Sequence, residues 1–174
     1  MNIFVCAKQV PDTNEIKIDP ITNTLIRKGV PSILNTYDAF ALEQALRLKD
    51  KDPEINIVVI SMGPGQAEAM LRDCLAVGAD NAYLVTDKKF GGSDTLATSY
   101  ILSEAIKKVA QTEGEPDMVF CGLQAIDGDT AQVGPELAEH LDLPQITYGY
   151  TAEVNEEGLK VLKEVEGGAL EIQM

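Results

Sequence analysis

Four short apolar runs punctuate the chain, at residues 3–7, 57–61, 82–85 and 118–121. Each is bounded by polar residues or by Gly and Pro. All are rich in Val, Ile or aromatic side chains, as strands buried on both faces of a parallel sheet are. Between them the apolar positions recur at helical spacing. Residues 37–50 place Ala41, Leu42, Ala45, Leu46 and Leu48 on one broad face, with Asp38 as the expected cap. Residues 66–77 repeat the pattern and stop at Gly78, a C-terminal signal. Residues 93–110 make a third helix with Ser93 or Asp94 at its N-cap, and residues 130–141 a fourth, capped by Asp129. The apolar faces of all four are core positions. Strand and helix in alternation predict an α/β fold, a parallel sheet with helices on both faces.

Two segments break this alternation. Residues 11–34 are rich in Pro, Asn, Asp and Thr and carry no helical period, and IKID and TLIR within them suit a small hairpin. After Tyr148 the pattern changes again. EVNEEGLKVLKEVEGG alternates as a β-hairpin turning at Glu157-Gly158. The expected organisation is an α/β core over residues 1–150 and an antiparallel appendage over residues 151–174. The last alternating segment runs into Met174, so we expect a chain cut inside a longer C-terminal segment.

Composition narrows the functional classes. With 45% hydrophobic residues among 174, the chain can bury a real core. Its 28 acids against 14 bases give a formal net charge of −14. That argues against nucleic acid and anionic membranes as partners. No window is long and apolar enough for a membrane helix, and MNIFV reads as a strand rather than a signal peptide. Cys6, Cys74 and Cys121 are widely spaced and form no CxxC pair, so a zinc site is not indicated. Reduced thiols in the cytoplasm are the default. The single histidine, His140, rules against a His-dependent triad or a His-rich metal site, and its place late in a helix suits the helix dipole.

In an open parallel sheet, ligands bind beyond the carboxyl ends of the strands, where strand order reverses. Four loops follow the four runs: CAKQVP, MGPG, GGSDT and GLQAIDGDTAQVG. Three are Gly-rich and lead into helix starts, where free amides and a positive dipole end favour a phosphate. There is no GxGxxG and no GxxxxGK[ST], so neither standard dinucleotide nor P-loop chemistry is indicated. The last loop carries Asp127 and Asp129 and no Lys or Arg. Amides can hold a phosphate there without basic side chains. The acids then have two roles open to them, capping and turn-making or contact with a ligand. No nucleophile, paired carboxylate or metal constellation stands out, which describes a nucleotide binder without catalytic apparatus of its own.

GLQAIDGDTAQVGPELAEHLDLPQITY resembles the adenine-nucleotide loop of the electron transfer flavoprotein beta subunit. VCAKQVPDT, LNTYDAFALEQALRLKD, SMGPGQAEAMLRDCLAVGAD and VLKEVEGGALEIQM resemble other blocks of that family, in the family's order. The resemblance covers essentially the whole chain. It implies an adenine-nucleotide alpha-hydrolase-like, Rossmann-like fold, with the switch point between the first and fourth parallel strands. It also implies a heterodimer with an alpha subunit that carries the electron-transferring flavin.

The family divides by what the beta subunit holds. One group keeps AMP as a structural filler. The other binds a second FAD and takes part in electron bifurcation, oxidising NADH only as part of the heterodimer. Electrons then go to ferredoxin or flavodoxin and to an acyl-CoA dehydrogenase. QAIDGDTAQVGP has Gly128 and Val133 where the AMP group has an acid and a threonine, and GGSDTLATSY brings Ser93, Thr95 and Thr98 to a turn, as in the bifurcating group. A carboxylate at position 128 would repel a second phosphate by about 4 kcal/mol at 4 Å and an effective dielectric near 20, before screening. The resemblance therefore implies FAD, with AMP as the alternative. A non-redox nucleotide-binding module of the same fold is the alternative from another class. By carry-over the contacts are Cys6 and Ala7, then Asn35, Thr36, Tyr37 and Asp38, then Met62, and Ser93, Thr95 and Thr98. The main wall is Gly122, Leu123, Gln124, Ala125, Ile126, Asp127, Gly128, Asp129, Thr130, Ala131, Gln132 and Val133. For Cys6 and Cys121, packing at strand ends is favoured over a redox role.

Overall fold

A computed structural model of the chain describes residues 1–12 and 31–174. The four apolar runs are strands β1 (Asn2–Cys6), β4 (Asn56–Met62), β5 (Asn81–Val85) and β6 (Met118–Cys121). They form one parallel sheet in the order β5-β4-β1-β6. Two short strands, β2 (Gln9–Pro11) and β3 (Ser32–Leu34), pair antiparallel just after β1. The hairpin expected from IKID and TLIR lies outside the described residues. The helices are α1 (Thr36–Lys51), α2 (Glu68–Ala76), α3 (Thr95–Glu113) and α4 (Val133–His140).

Alternate side chains of each central strand feed opposite faces of the sheet, as a two-residue period requires. Ile3, Val5, Ile57 and Val59 pack with Leu42, Ala45 and Leu48 of α1 and with Met70, Leu71 and Cys74 of α2. Phe4, Cys6, Val58 and Ile60 pack with Leu102, Ile106 and Val109 of α3 and with Leu137 of α4. The sheet is therefore covered on both sides, which is why its strands read as unbroken apolar runs. The lone histidine ends α4 and packs edge-on against Tyr100, ring centroids 5.7 Å apart. Among the described residues no helix is long and apolar enough to cross a membrane.

Three details differ from the sequence reading. The C-terminal hairpin is a three-stranded antiparallel sheet of β7 (Gly149–Asn155), β8 (Gly158–Val165) and β9 (Gly168–Gln173). A second turn, with Gly167 at φ +81°, folds the last alternating residues back onto β8. This sheet meets the core at α1, where Gln44 donates to the Ala152 carbonyl at 2.9 Å. Asp38 does not cap α1. Asn35 holds the N-cap position without a side-chain bond to the helix, and Asp38 lies buried in the first turn. The fourth helix begins at Val133, not Thr130, and Asp129 does not cap it. Asp129 and Ala131 have φ of +51° and +54°, which no right-handed helix can include. At α3 the cap is Asp94, whose carboxylate accepts from the Ala97 amide at 2.8 Å.

Leu137 is the one buried residue of α4 and fixes that short helix to the sheet. Leu137→Ala should cost about 2–5 kcal/mol of unfolding free energy. Urea denaturation checks this, and a loss below about 1 kcal/mol would mean that α4 is held by something else.

Candidate functional site

The chain leaves β1 towards one neighbour, β4, and reaches the other neighbour, β6, only after crossing the sheet. The carboxyl ends of β1 and β6 are therefore the switch point. Cys6 and Cys121 are register partners there. The gap between the residues that follow them, Ala7-Lys8 and Gly122-Leu123, is the crevice expected at a switch point.

Three connections close this gap. The β2–β3 ribbon returns the chain to the end of β1, where the Asn35 amide donates to the Lys8 carbonyl at 2.9 Å. That delivers the first turn of α1 to the switch point. Asp38, 7% exposed, then accepts from the Lys8 amide at 2.8 Å and from the Gly122 amide at 3.2 Å. Asn35, 1% exposed, donates to the Gln124 carbonyl at 2.8 Å and accepts from the Ile126 amide at 3.1 Å. The approach of α1 to the loop is close enough to require a glycine. A Cβ on Gly122 would lie 2.3 Å from Asp38 Oδ1 and 2.6 Å from the Tyr37 carbonyl carbon.

Beyond Ile126 the loop turns tightly, with the Gly128 and Asp129 amides both donating to the Ala125 carbonyl. Gln124 bonds the Asp129 carboxylate across the turn at 2.8 Å. Asp127 does not fold over its own amides. Its carboxylate, 6% exposed, pairs with the Lys8 ammonium at 2.6 Å. Two non-glycine residues in the left-handed region, Asp129 and Ala131, store strain of about 1–3 kcal/mol each. Among the described residues the amides of Thr130, Ala131, Gln132 and Val133 donate to no protein acceptor, and α4 has no side-chain cap. A strained loop with four unspent amides is suited to an anion.

The structure brings together Cys6, Ala7, Asn35, Asp38 and the start of the 122–133 loop. It also shows that several of these side chains are spent on protein partners. Asn35 and Asp38 fasten the loop. The Cys6 thiol is held well above its ordinary pKa by a hydrogen bond with Cys121 and by burial, which suits packing rather than nucleophilic chemistry. Thr36 is exposed, Tyr37 is half-buried beside Gly122, and Leu123 and Ile126 are each 39% exposed. Met62 ends β4 and packs against the core on the α3–α4 side. In the Ser93 turn, the Thr95 hydroxyl donates to Glu136 of α4 at 3.1 Å, and the Ser99 hydroxyl, 3.3 Å from the same carboxylate, lies closer to the Leu96 carbonyl at 2.9 Å. Thr98 lies half-buried in the first turn of α3. Gly128 faces open space, since a Cβ there would meet nothing within 4 Å.

Sequence reasoning missed Lys8. A signal was present, because Lys8 is the one basic residue within CAKQVP, MGPG and GLQAIDGDTAQVG, the stretches that follow β1, β4 and β6. The ties from Thr95 and Ser99 to Glu136 left no such trace.

A family model described as "Electron transfer flavoprotein domain" matches residues 22–174. The chain belongs to the electron transfer flavoprotein family. It is 56% identical over 170 residues to an electron transfer flavoprotein subunit beta of Megasphaera elsdenii, covering 97% of this chain and 63% of that one. It is 53% identical over 176 residues to the caffeyl-CoA reductase-Etf complex subunit CarD of Acetobacterium woodii, covering 100% and 66%. A FixA protein of Sinorhizobium fredii is 57% identical over 148 residues, covering 85% and 52%. The chain thus spans between about half and two thirds of the length of these family members.

Two predictions follow from the fastening at Asp38. Burial raises the Asp38 pKa to about 6, against the lowering effect of the Lys8 amide, Asn35, the Gly122 amide and the Lys8 charge. The folded state then binds the proton more tightly than the unfolded chain, so stability should fall as pH rises from about 4 to 6. The contribution of this one group is about 3 kcal/mol by linkage. Denaturation across that window should show the slope in the native protein, and Asp38→Asn should remove it. Gly122→Ala should cost about 1–3 kcal/mol or more, because the new methyl meets backbone as well as the carboxylate. Unfolding of that variant at the native midpoint would show the strap to be tolerant.

Proposed function

We propose that this chain is the nucleotide-binding part of an electron transfer flavoprotein beta subunit, that its switch-point loop holds FAD, and that it works in a heterodimer with an alpha subunit. The observation that carries the reading is the loop itself: four unspent amides in a strained turn, beside an open position at Gly128. The residues present fit such a group. Amides from Thr130 to Val133 would hold phosphate oxygens. Cys6 and Ala7 would form the floor at the end of β1, and Asn35 and Asp38 would keep the wall in place. Gly128 is not demanded by the protein's own packing, so its lack of a side chain is available to a ligand. An acid there would set a charge against a second phosphate.

The redox chemistry of such a site would be the flavin's: hydride uptake from NADH and release of single electrons. We assign the onward carriers as ferredoxin or flavodoxin on one side and, through the alpha subunit, an acyl-CoA dehydrogenase on the other. The similarity to a subunit named for a caffeyl-CoA reductase-Etf complex supports placing the chain in an assembly with a CoA-ester enzyme. Family membership weighs against the non-redox module. One observation favours the AMP-holding reading: the Thr95 hydroxyl is already spent on Glu136, leaving fewer donors at the Ser93 turn for a pyrophosphate. We place the protein in the cytoplasm.

The deciding experiment is to denature the full-length heterodimer and to count the released nucleotides. Two FAD and no AMP per pair is the expected result, whereas one of each would make the subunit an ordinary carrier. Gly128→Asp should weaken FAD binding by about tenfold or more and leave AMP binding largely intact. Equal FAD affinity in the variant and the native pair would remove Gly128 from the account.

A further inference from the structure

The loop that would receive a phosphate is acidic in a protein that is already strongly acidic. Asp127 and Asp129 lie within it, Asp38 lies behind it, and none of its own residues is basic. Among the described residues, one cation pairs with it from elsewhere. Lys8 comes from the end of β1, 119 positions away in sequence, and its ammonium sits 2.6 Å from Asp127. The two partners are unequal in environment. The Asp127 side chain is 6% exposed and the Lys8 side chain 43% exposed. The carboxylate is thus the desolvated member, and the ammonium is the member left towards solvent.

Resting on the nucleotide-site reading, we propose that Lys8 is the charge-setting residue of the loop. It neutralises the buried Asp127 carboxylate and so determines how tightly the loop takes a nucleotide phosphate. Its action on the phosphate runs through Asp127, which makes it a positioning residue. Three observations converge on this role. The Lys8 amide is already fixed by Asp38, so the residue's backbone is held at the switch point. The Asp127 carboxylate is turned to Lys8 and not to the loop's own amides, which leaves those amides to a ligand. Lys8 is also the one base within CAKQVP, MGPG and GLQAIDGDTAQVG, the stretches that follow β1, β4 and β6, whereas Lys88 and Lys89 follow β5 at the far edge of the sheet. A buried carboxylate without its partner would stand as a full negative charge in a low-dielectric site, where repulsion of an incoming phosphate is strongest.

The test uses the full-length heterodimer, stripped of nucleotide and titrated with AMP and with FAD by calorimetry. Lys8→Met should weaken both by about tenfold or more. Lys8→Met combined with Asp127→Asn should regain affinity to within about threefold of the native pair, because the uncompensated charge is gone. Asp127→Asn alone should tighten both ligands by about threefold or more, and it keeps the test decisive should the Lys8 variant fail to fold. Native affinity in a folded Lys8→Met protein would overturn the role. So would failure of the double variant to recover, which would make Lys8 a direct phosphate ligand or a purely structural residue. A native heterodimer that takes neither nucleotide would overturn the site reading together with this one. Binding by the native protein that is indifferent to all three substitutions would overturn only the role of Lys8.

Discussion

The Asp38 carboxylate, buried between two strand ends, is the contact on which the site depends. Parallel strands that leave a sheet in opposite directions open a crevice, and a crevice has no fixed width unless something spans it. Here the span is one side chain accepting from the amides of Lys8 and Gly122. Asn35 adds a second span one helical turn earlier, gripping the loop at Gln124 and Ile126. Both residues sit where α1 begins, and the β2–β3 ribbon is what delivers that beginning to the end of β1. Burying a carboxylate so deeply is unfavourable, as its raised pKa records. Among the described residues those amides donate to no other acceptor, and that is the gain set against the burial.

The acids of the loop then fall into distinct physical situations. Asp38 meets backbone donors. Asp127 meets a cation. Asp129 meets the Gln124 amide group. Each of the three accepts from a donor on this chain. An acidic sequence can therefore make an anion site, provided each carboxylate is committed to a donor and the backbone amides are not. The left-handed residues Asp129 and Ala131 serve the second condition. By interrupting the helix before Val133, they keep four consecutive amides out of intrahelical and capping bonds.

Much of this architecture was legible in the chain. The four strands, four helices and their parallel sheet follow from apolar runs and helical spacing, and the switch point follows from which loops are Gly-rich. The details that failed share a cause. Asp38 and Asp129 both stand where a helix cap is expected by local rules. Asp38 was drawn away by partners distant in sequence, Lys8 and Gly122, and Asp129 by the strained turn it sits in. A local helix-cap rule weighs neither a contact made across 30 or 84 residues, as at Asp38, nor a left-handed turn just ahead of the helix, as at Asp129. The third strand of the C-terminal sheet was missed for a different reason: alternation marks a strand, and only Gly167 in a left-handed turn marks that the chain reverses again.

The two features on which the proposed choice of FAD over AMP rests, Gly128 and the Ser93 turn, are far apart in sequence but not mechanically independent. Thr95, in the first turn of α3, bonds the Glu136 carboxylate in the first turn of α4, and the Ser99 hydroxyl lies 3.3 Å from the same carboxylate. Leu137, next to Glu136, is buried against the sheet. Any widening of the crevice at the Ser93 turn must therefore drag on the start of α4, and through it on residues 130–133. A larger ligand would have to be admitted by both walls together, at the expense of the Glu136 bonds. Under the proposed reading, the choice between nucleotides would depend on whether those bonds yield, and so on the packing of α3 on α4 as well as on the phosphate loop.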